Sequence, residues 1–447
     1  MQIKITNMNE KIVVGLDIGT TKICAMVGRI NEYGKLEILG VGKANSDGVK
    51  EGIVSNIHKT TDSIVQAIEE AEKNSDIKIG VVNVGIAGKH IKSFRHRGSI
   101  TRNSDNDEIT LEDLNRLTND MYRIVTEPGT EIIHVMPQHY IVDYEENIKD
   151  PVGMAGVKLE ADFHIITAQT NAIKNIKRAV ERAGLQIENL ILEPLASSMA
   201  VLSEEEKEAG IALVDIGGGT TDIAIFYDGI IRHTAVIPFG GDIITSDIKH
   251  GCQVLDNQAE LLKVKFGNTL SEEATESEVV SIPGIRGRTP KEISIKNLAR
   301  IIEARMEEII ELVHSEIIKS GYANRLAGGV VITGGGAQML NLQPLFELKT
   351  GLDTRIGYPN EYLGKSREEM VKLPMYATTM GLVLAGFKTI DEREENYLKN
   401  AHQAYTPTHT GGKQVVGKAQ PSKGDFFSNI IRKTKELLID DFDERNY

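Results

Sequence analysis

The chain has 447 residues, long enough for two or three domains, each with its own core. Its 40% hydrophobic and 26% charged residues are those of an ordinary soluble protein, and a net charge of −13 argues against general nucleic-acid binding. Two cysteines, Cys24 and Cys252, exclude a disulfide scaffold and a cysteine metal cluster. No run approaches the roughly 20 apolar residues of a membrane-spanning helix, and the N-terminus lacks a signal peptide whether the start is Met1 or Met8. The expected compartment is the cytoplasm.

The first element is a hairpin. The apolar run Ile12-Val13-Val14-Gly15-Leu16 reaches Asp17, turns through Gly19, Thr20 and Thr21, and starts a second apolar run after Lys22. Such a turn presents backbone N–H groups and hydroxyls, a suitable cradle for phosphate. A strand is predicted at about 36–44 and a helix at about 56–73, where Ile57, Ile64, Val65, Ile68 and Ala71 fall near one face. A short buried strand follows at 80–86. Residues 88–166 change character: a basic stretch (Lys89, His90, Lys92, Arg95, His96, Arg97), a polar acidic helix near 109–121 and an alternating segment at 131–136 read as an inserted subdomain. The core is expected to resume at Ile165-Ile166-Thr167, with a helix at 171–183 and a strand at 187–192.

Residues 211–223 then repeat the opening pattern: an apolar run, Asp215, the turn Gly217-Gly218-Gly219-Thr220-Thr221, Asp222 and a second apolar run. One such turn is commonplace. A copy in each half of the chain indicates a duplicated clamp, with two turns gripping a triphosphate and Asp17 and Asp215 near its magnesium. Magnesium keeps most of its waters and takes few protein carboxylates. An insertion of helices is predicted over 241–320, broken by a loop at Pro283–Pro290 and ending in a long helix at 294–319. Val330–Thr333 and the glycines Gly334, Gly335 and Gly336 predict a strand, a turn and a helix N-terminus that a nucleotide can approach closely. There is no Gly-x-x-x-x-Gly-Lys-Ser/Thr run, so a Walker-type loop is not the nucleotide site.

A final core helix is predicted at about 375–388. Residues 391–423 hold few large apolar residues and read as a disordered linker. In 424–439, Phe426, Phe427, Ile430, Ile431, Leu437 and Leu438 share one helical face, with Arg432, Lys433 and Lys435 elsewhere on the wheel. An amphipathic helix of this kind suits an anionic membrane surface, or it docks on the body as an ordinary terminal helix. The acids Asp440, Asp441, Asp443 and Glu444 work against the first reading.

Two phosphate hairpins, then a triple glycine, with the connecting segments Glu193–Ser198 and Ala377–Leu382, resemble the actin and sugar-kinase ATPase superfamily. Within it, the chain resembles the FtsA family of bacterial cell-division proteins over about residues 10–390. The resemblance implies an α/β, actin-like two-lobed fold of duplicated ribonuclease-H-like domains with inserted subdomains. Subdomain IA would take 10–87, 167–197 and 358–390, the inserted subdomain IC 88–166, IIA 198–240 and 308–357, and IIB 241–307. A linker (391–423) and a membrane-targeting helix (424–439) would follow.

The resemblance also implies ATP and Mg2+ between the lobes. Asp17 and Asp215 would order the metal; Gly19, Thr20, Thr21, Lys22, Gly217, Gly218, Gly219, Thr220 and Thr221 would hold phosphate. Gly334, Gly335 and Gly336 would contact adenosine, with Glu303 and Glu307 of the long helix, which are otherwise a solvated face. Glu193 and Asp215 are the expected catalytic residues; Glu193 either orients the attacking water or caps the helix that follows it. The basic residues Arg286, Arg288, Lys291, Lys296 and Arg300 are solvated, or else Arg286, Lys296 and Arg300 grip the acidic C-terminal peptide of the tubulin-like FtsZ.

The expected function is an actin-like protein that polymerises at the cytoplasmic membrane at the division site. There it anchors FtsZ filaments, the Z ring, and recruits later divisome proteins. ATP governs assembly, and the rate of any hydrolysis stays open. The alternative is a soluble sugar or small-molecule kinase on the same core, which would need a substrate cleft with an aspartate base and no tail helix. A chaperone of the superfamily would need a peptide-binding β-domain that the chain lacks.

Overall fold

In the first hairpin, Val13–Ile18 and Ile23–Gly28 are all buried, so both faces of the sheet that contains them must be covered. A computed structural model, which describes residues 11–102, 108–284, 289–364 and 369–403, shows how. Strands Ile12–Ile18, Lys22–Ile30 and Leu36–Asn45 form an antiparallel meander. Val81–Ile86 and Gln186–Leu192 extend it in parallel beside the first strand. The second lobe repeats the plan: Ile211–Ile216, Thr221–Tyr227 and Ile230–Ile237 meander, and Val330–Thr333 and Thr354–Ile356 add in parallel. Each is a five-stranded sheet with the same strand order, the duplicated topology expected from the repeated motif.

Side chains alternate across each sheet with the period of two that strands impose. Val14, Leu16 and Ile18 face an outer layer of helices, Ile57–Ser75 and Thr170–Arg182, while Val13 faces inward. Ala212, Val214 and Ile216 face the outer helices of the second lobe, and Ile211 and Leu213 face inward. Between the sheets lie two helices, Glu193–Val201 and Ala377–Gln403. The first carries the chain from lobe one to lobe two, and the second carries it back. They cross with backbones in contact: a Cβ on Gly381 would stand 1.8 Å from the carbonyl oxygen of Ala196.

The inserted subdomain is a four-stranded antiparallel sheet in the order Lys92–Thr101, Lys158–Gln169, Thr130–Val142, Glu145–Ile148. Helix Leu111–Met121, started by a capping box from Thr110 and Asp113, covers a core of Ile109, Leu117, Phe163 and Ile165. Ile165–Thr167 therefore belongs to a strand of this insert rather than to the core sheet, as its apolar run had implied. The insert also reaches lobe two. Gln138 Nε2 donates to the Ile231 carbonyl (2.8 Å), Ser93 Oγ donates to the Thr234 carbonyl (3.3 Å), and His164 Nε2 pairs with Thr234 Oγ1 (3.2 Å).

The second insertion holds helices Gly241–Cys252, Asp256–Phe266 and Ile295–Lys319, as expected, but also a two-stranded ribbon, Val279–Ile282 with Lys291–Ser294. Strands of four residues are too short for alternation to register. The last helix outruns its expected end near 388 and reaches Gln403, taking in the start of the segment read as linker. Its polar extension is tied down by ion pairs, Lys11 with Asp391 (3.2 Å) and Glu394 (2.8 Å), and Arg393 with Glu188. Phe426, Phe427, Ile430, Ile431, Leu437 and Leu438 lie outside the described residues.

The helix crossing makes Gly381 intolerant of a side chain. Gly381→Ala should destabilise the protein by about 3 kcal/mol or more, since the clash is with backbone that cannot rotate away. Gly80→Ala, where a Cβ meets nothing within 4 Å, should stay within about 0.5 kcal/mol. Urea denaturation of the two variants checks the contrast.

Candidate functional site

The two hairpin turns face each other. A Cβ on Gly218 would lie 1.8 Å from Thr21 Oγ1, and one on Gly219 would lie 2.6 Å from Thr20 Oγ1, so only glycine lets the second turn come this near the first. Thr21 Oγ1 donates across the gap to Asp242 Oδ1 at 3.4 Å. The second turn closes through Gly217 N–H to the Thr220 carbonyl (2.9 Å). Its Gly217 and Gly218 carbonyls accept the N–H groups of Gly241 and Asp242 at the start of the next helix (2.9 and 2.8 Å). Thr20 Oγ1 accepts the N–H of Gly52 (3.1 Å), and Thr221 Oγ1 donates to the Phe239 carbonyl (2.8 Å).

Beneath the turns lie three buried aspartates. Asp17 Oδ2 accepts a hydrogen bond from Thr379 Oγ1 (3.3 Å). Asp215 Oδ2 accepts from Ser197 Oγ (2.6 Å) and Thr378 Oγ1 (3.1 Å). Asp222 Oδ2 accepts from Thr220 Oγ1 (2.9 Å), but its Oδ1 is buried with no partner. Burial pushes Asp17 up to about 6, with the nearby Lys22 pulling down and Asp215 pushing up. Burial and then Asp215 push Asp222 up to about 7. Asp215 is raised by burial against the pull of its two hydroxyl donors and Lys22.

Lys22 itself donates to the Met375 carbonyl and sits 4.2 Å from the centre of the Tyr376 ring. The third glycine cluster joins the set: Gly334 adopts φ +86°, and a Cβ there would lie 2.3 Å from Asp215 Oδ1. No long helix starts at these glycines, however. Gly336–Gln338 is a single 3-10 turn, and the helix begins at Leu342 behind the left-handed Asn341. What Gly334, Gly335 and Gly336 offer is bare backbone rather than a helix terminus.

Glu193 opens the first crossing helix, packed so that a Cβ on Gly85 would lie 3.0 Å from its Cγ. That helix has no side-chain cap, so the capping role is not realised. Burial first, then the charges of Asp17, Asp222 and Asp215, raise the Glu193 carboxyl well above its usual range. The residue before it is held from the inserted subdomain: Leu192 N–H donates to His134 Nε2 at 3.0 Å, and burial lowers His134 to about 4, which keeps the ring a neutral acceptor.

Sequence reasoning passed over His134, and also Lys263. The Lys263 ammonium donates to the Gly241 carbonyl (2.9 Å) and Thr245 Oγ1 (2.8 Å) behind the second turn, and pairs with Glu260 (2.8 Å). Conversely, Glu303 accepts the Ser271 N–H (3.3 Å) and Glu307 pairs with Lys349 (2.7 Å); neither is hydrogen-bonded to the turns. Among the described residues no three acidic, histidine or cysteine side chains converge to cage a metal ion. Two facing aspartates without a third ligand fit a magnesium ion that keeps its waters.

A second feature lies in the helical insertion. A groove of about 530 Å³ has apolar walls from Val264, Phe266, Val279, Ile295 and Leu340 and polar ones that include Lys265, Glu273 and Glu278. Beside it, Lys296 pairs with Glu276 (2.8 Å), and Arg300 Nη1 donates to Asn297 Oδ1 (3.4 Å). Arg286 lies outside the described residues.

Comparison with known proteins places this geometry. The family model "Cell division protein FtsA" matches residues 212–381, and "SHS2 domain inserted in FTSA" matches 88–167, the insert found above. The chain is 40% identical over 378 residues to the cell division protein FtsA of Pseudomonas aeruginosa, covering 85% of this chain and 90% of that one. It belongs to the FtsA family. The FtsA proteins of Escherichia coli K12 (37% over 385 residues, 85% and 91% covered) and Bacillus subtilis (37% over 376 residues, 84% and 83% covered) are also similar.

An Hsp70 protein model matches residues 145–235. Among solved structures, the PilM-PilN type IV pilus biogenesis complex superposes with TM-score 0.61 at 15% identity, covering 84% of this chain and 98% of that one. MreB5 of Spiroplasma citri bound to ADP superposes with TM-score 0.53 at 16% identity, covering 86% and 99%. The fold is thus actin-like, and it is one whose members include a nucleotide binder. Membership of the FtsA family makes the chain an actin-like component of the Z ring and sets aside the soluble kinase. Among the described residues of this FtsA, no helix is long and apolar enough to cross a membrane.

The unpartnered Asp222 gives a pH test. With its folded pKa near 7 against an ordinary value of 3.8, the protein without ligand loses stability as pH rises from about 4 to 7 while this acid ionises. Asp222→Asn removes that loss, worth about 1.4 kcal/mol for each unit of displacement. The variant should match wild type near pH 4 and be more stable above pH 7. Urea midpoints at pH 5 and pH 8 decide it; a difference independent of pH would count against this reading.

Proposed function

We propose that this FtsA binds ATP with Mg2+ between its lobes and uses occupancy of that cleft to govern assembly into membrane-bound filaments. The observation that carries the reading is the pair of glycine-threonine turns in contact over Asp17 and Asp215, each supplied by one lobe. Their backbone N–H groups and the hydroxyls of Thr20, Thr21 and Thr220 would hold phosphate oxygens, and Asp17 and Asp215 would accept from the waters of the metal. Lys22 and Lys263 add positive charge around the turns. The metal would neutralise phosphate charge. Glu193, whose carboxyl burial and the neighbouring acids raise, would orient a water in line with the phosphate chain. Gly334, Gly335 and Gly336 would let the adenosine lie against bare backbone.

The reading extends to partners. The groove beside Lys296 and Arg300 mixes apolar walls with Lys265, Glu273 and Glu278. The three basic side chains, Lys265, Lys296 and Arg300, would take the acidic part of the C-terminal peptide of FtsZ while the walls take its apolar part. Residues 424–439 would lay Phe426, Phe427, Ile430, Ile431, Leu437 and Leu438 into an anionic bilayer, placing the protein peripherally on the cytoplasmic face of the membrane at the division site. Bound there, filaments of this chain would tether FtsZ and gather later divisome proteins.

Three measurements test this. Co-sedimentation with anionic vesicles should require ATP and Mg2+ for cooperative binding and should vanish when residues 424–439 are removed; vesicle binding by the truncated chain would overturn the membrane assignment. Asp215→Asn should weaken binding of a fluorescent ATP analogue in Mg2+ by at least about tenfold, or about 1.4 kcal/mol. For the peptide, the double variant Lys296→Glu, Arg300→Glu should weaken binding by about tenfold, with a reduced salt dependence. Unchanged affinity in fluorescence anisotropy would exclude the groove.

A further inference from the structure

The two acids of the cleft belong to different lobes, yet their hydrogen bonds come from one place. Thr378 and Thr379, adjacent in the first turn of the returning helix, donate to Asp215 Oδ2 (3.1 Å) and Asp17 Oδ2 (3.3 Å) respectively. Ser197, in the outgoing helix, donates to the same Asp215 oxygen (2.6 Å) and is itself 3.0 Å from Thr378 Oγ1. Ser197 and Thr379 are completely buried and Thr378 nearly so. One residue from Ser197, Ala196 meets Gly381 at the helix crossing, so the hydroxyls sit beside the contact that joins the two helices.

We propose that Ser197, Thr378 and Thr379 form a hydroxyl clamp that positions Asp17 and Asp215 against the helix crossing, so that filling the cleft changes the angle between the lobes. The clamp has the stiffness such a device needs: the donors are short side chains with few rotamers, in helices whose backbones are in contact. A hydrated cation drawing the two carboxylates together pulls on Thr378 and Thr379 in the first turn of one helix and on Ser197 midway along the other. The helices then tilt as a pair, and the sheets they cover follow. These are positioning residues; none needs to touch nucleotide. The inference rests on the cleft being the ATP site.

The test uses the full-length chain with Mg2+ and ATP, reading hydrogen–deuterium exchange over residues 193–201 and 377–385 alongside nucleotide affinity. In wild type, nucleotide should slow exchange in both segments. The double variant Ser197→Ala, Thr378→Val should still bind nucleotide, about tenfold more weakly for lost hydrogen bonds to a charged group, but the slowing in both segments should be lost. Thr378→Ser, which keeps the hydroxyl, should restore wild-type behaviour where Thr378→Val does not.

A double variant that retains the wild-type change in exchange overturns the clamp, as does a Thr378→Ser variant indistinguishable from Thr378→Val. If the double variant is unfolded by circular dichroism, the single variants carry the same comparison. Wild type that binds nucleotide without altering exchange at the crossing refutes the clamp alone. Wild type that binds no nucleotide refutes the ATP site itself.

Discussion

The contact of helices Glu193–Val201 and Ala377–Gln403 is the constraint from which the arrangement of both lobes follows. Each sheet is apolar on both faces, and for each the inner face is covered by these two helices. Val13 and Met26 of the first sheet and Leu213 and Phe226 of the second therefore enter one apolar cluster with Met380, Val383 and Phe387. Burial of such side chains contributes about 1.5–3 kcal/mol each, so the lobes are joined by a shared core and not merely by two passes of the chain. Motion between them is restricted to rotations that keep the crossing intact, because packed cores resist continuous deformation.

Against that stable centre, the cleft is electrostatically unfavourable. Asp17, Asp215 and Asp222 are buried, Glu193 lies among them, and Lys22 is the ammonium that acts on Asp17 and Asp215. The buried amide of Asn83, in the same lobe as Asp17, is matched by contrast: Asn189 donates to it (2.7 Å), and Asn83 in turn donates to the Val14 carbonyl (3.4 Å). Uncompensated buried acids are costly, and such sites persist where a ligand relieves them. The same groups that cost stability in the cleft would favour cationic charge there, and the shared apolar core is what lets the fold tolerate them.

The elements that sequence made legible are those with local signals. Both hairpins were readable because an apolar run, an acid and a glycine-threonine turn lie within thirteen residues, and their duplication implied two lobes before any contact was known. The long helix appeared where it was expected, within a residue of its start, because its apolar spacing runs over seven turns. What escaped were features made by distant partners or by short pieces. His134 accepts from Leu192, 58 positions away, and nothing in an alternating strand marks that histidine out. The extension of the last helix is rich in charged residues and reads as linker until Lys11 and Glu188 are found beside it. The turn after Gly334 kept its place beside Asp215 but not its helix, since the left-handed Asn341 delays the next one. Asp222 stood inside the repeated motif, and only its burial without a partner for Oδ1 gives it weight.

The inserted subdomain adds a third body to what would otherwise be a two-lobed clamp. It arises from lobe one, but Gln138, Ser93 and His164 bind the outer strand of lobe two, Ile230–Ile237, at an edge that would otherwise invite strand pairing. Its His134 at the same time holds the backbone one residue before Glu193. A rotation of lobe two that carried its edge strand away would have to break these hydrogen bonds or move the insert, and moving the insert would shift the strand end that presents Glu193. The orientation of Glu193 and the separation of the lobes are therefore not independent variables in this chain. Both are set by the seating of one small sheet, whose grip lies on the backbone of lobe two at Ile231 and Thr234 and on the backbone of lobe one at Leu192.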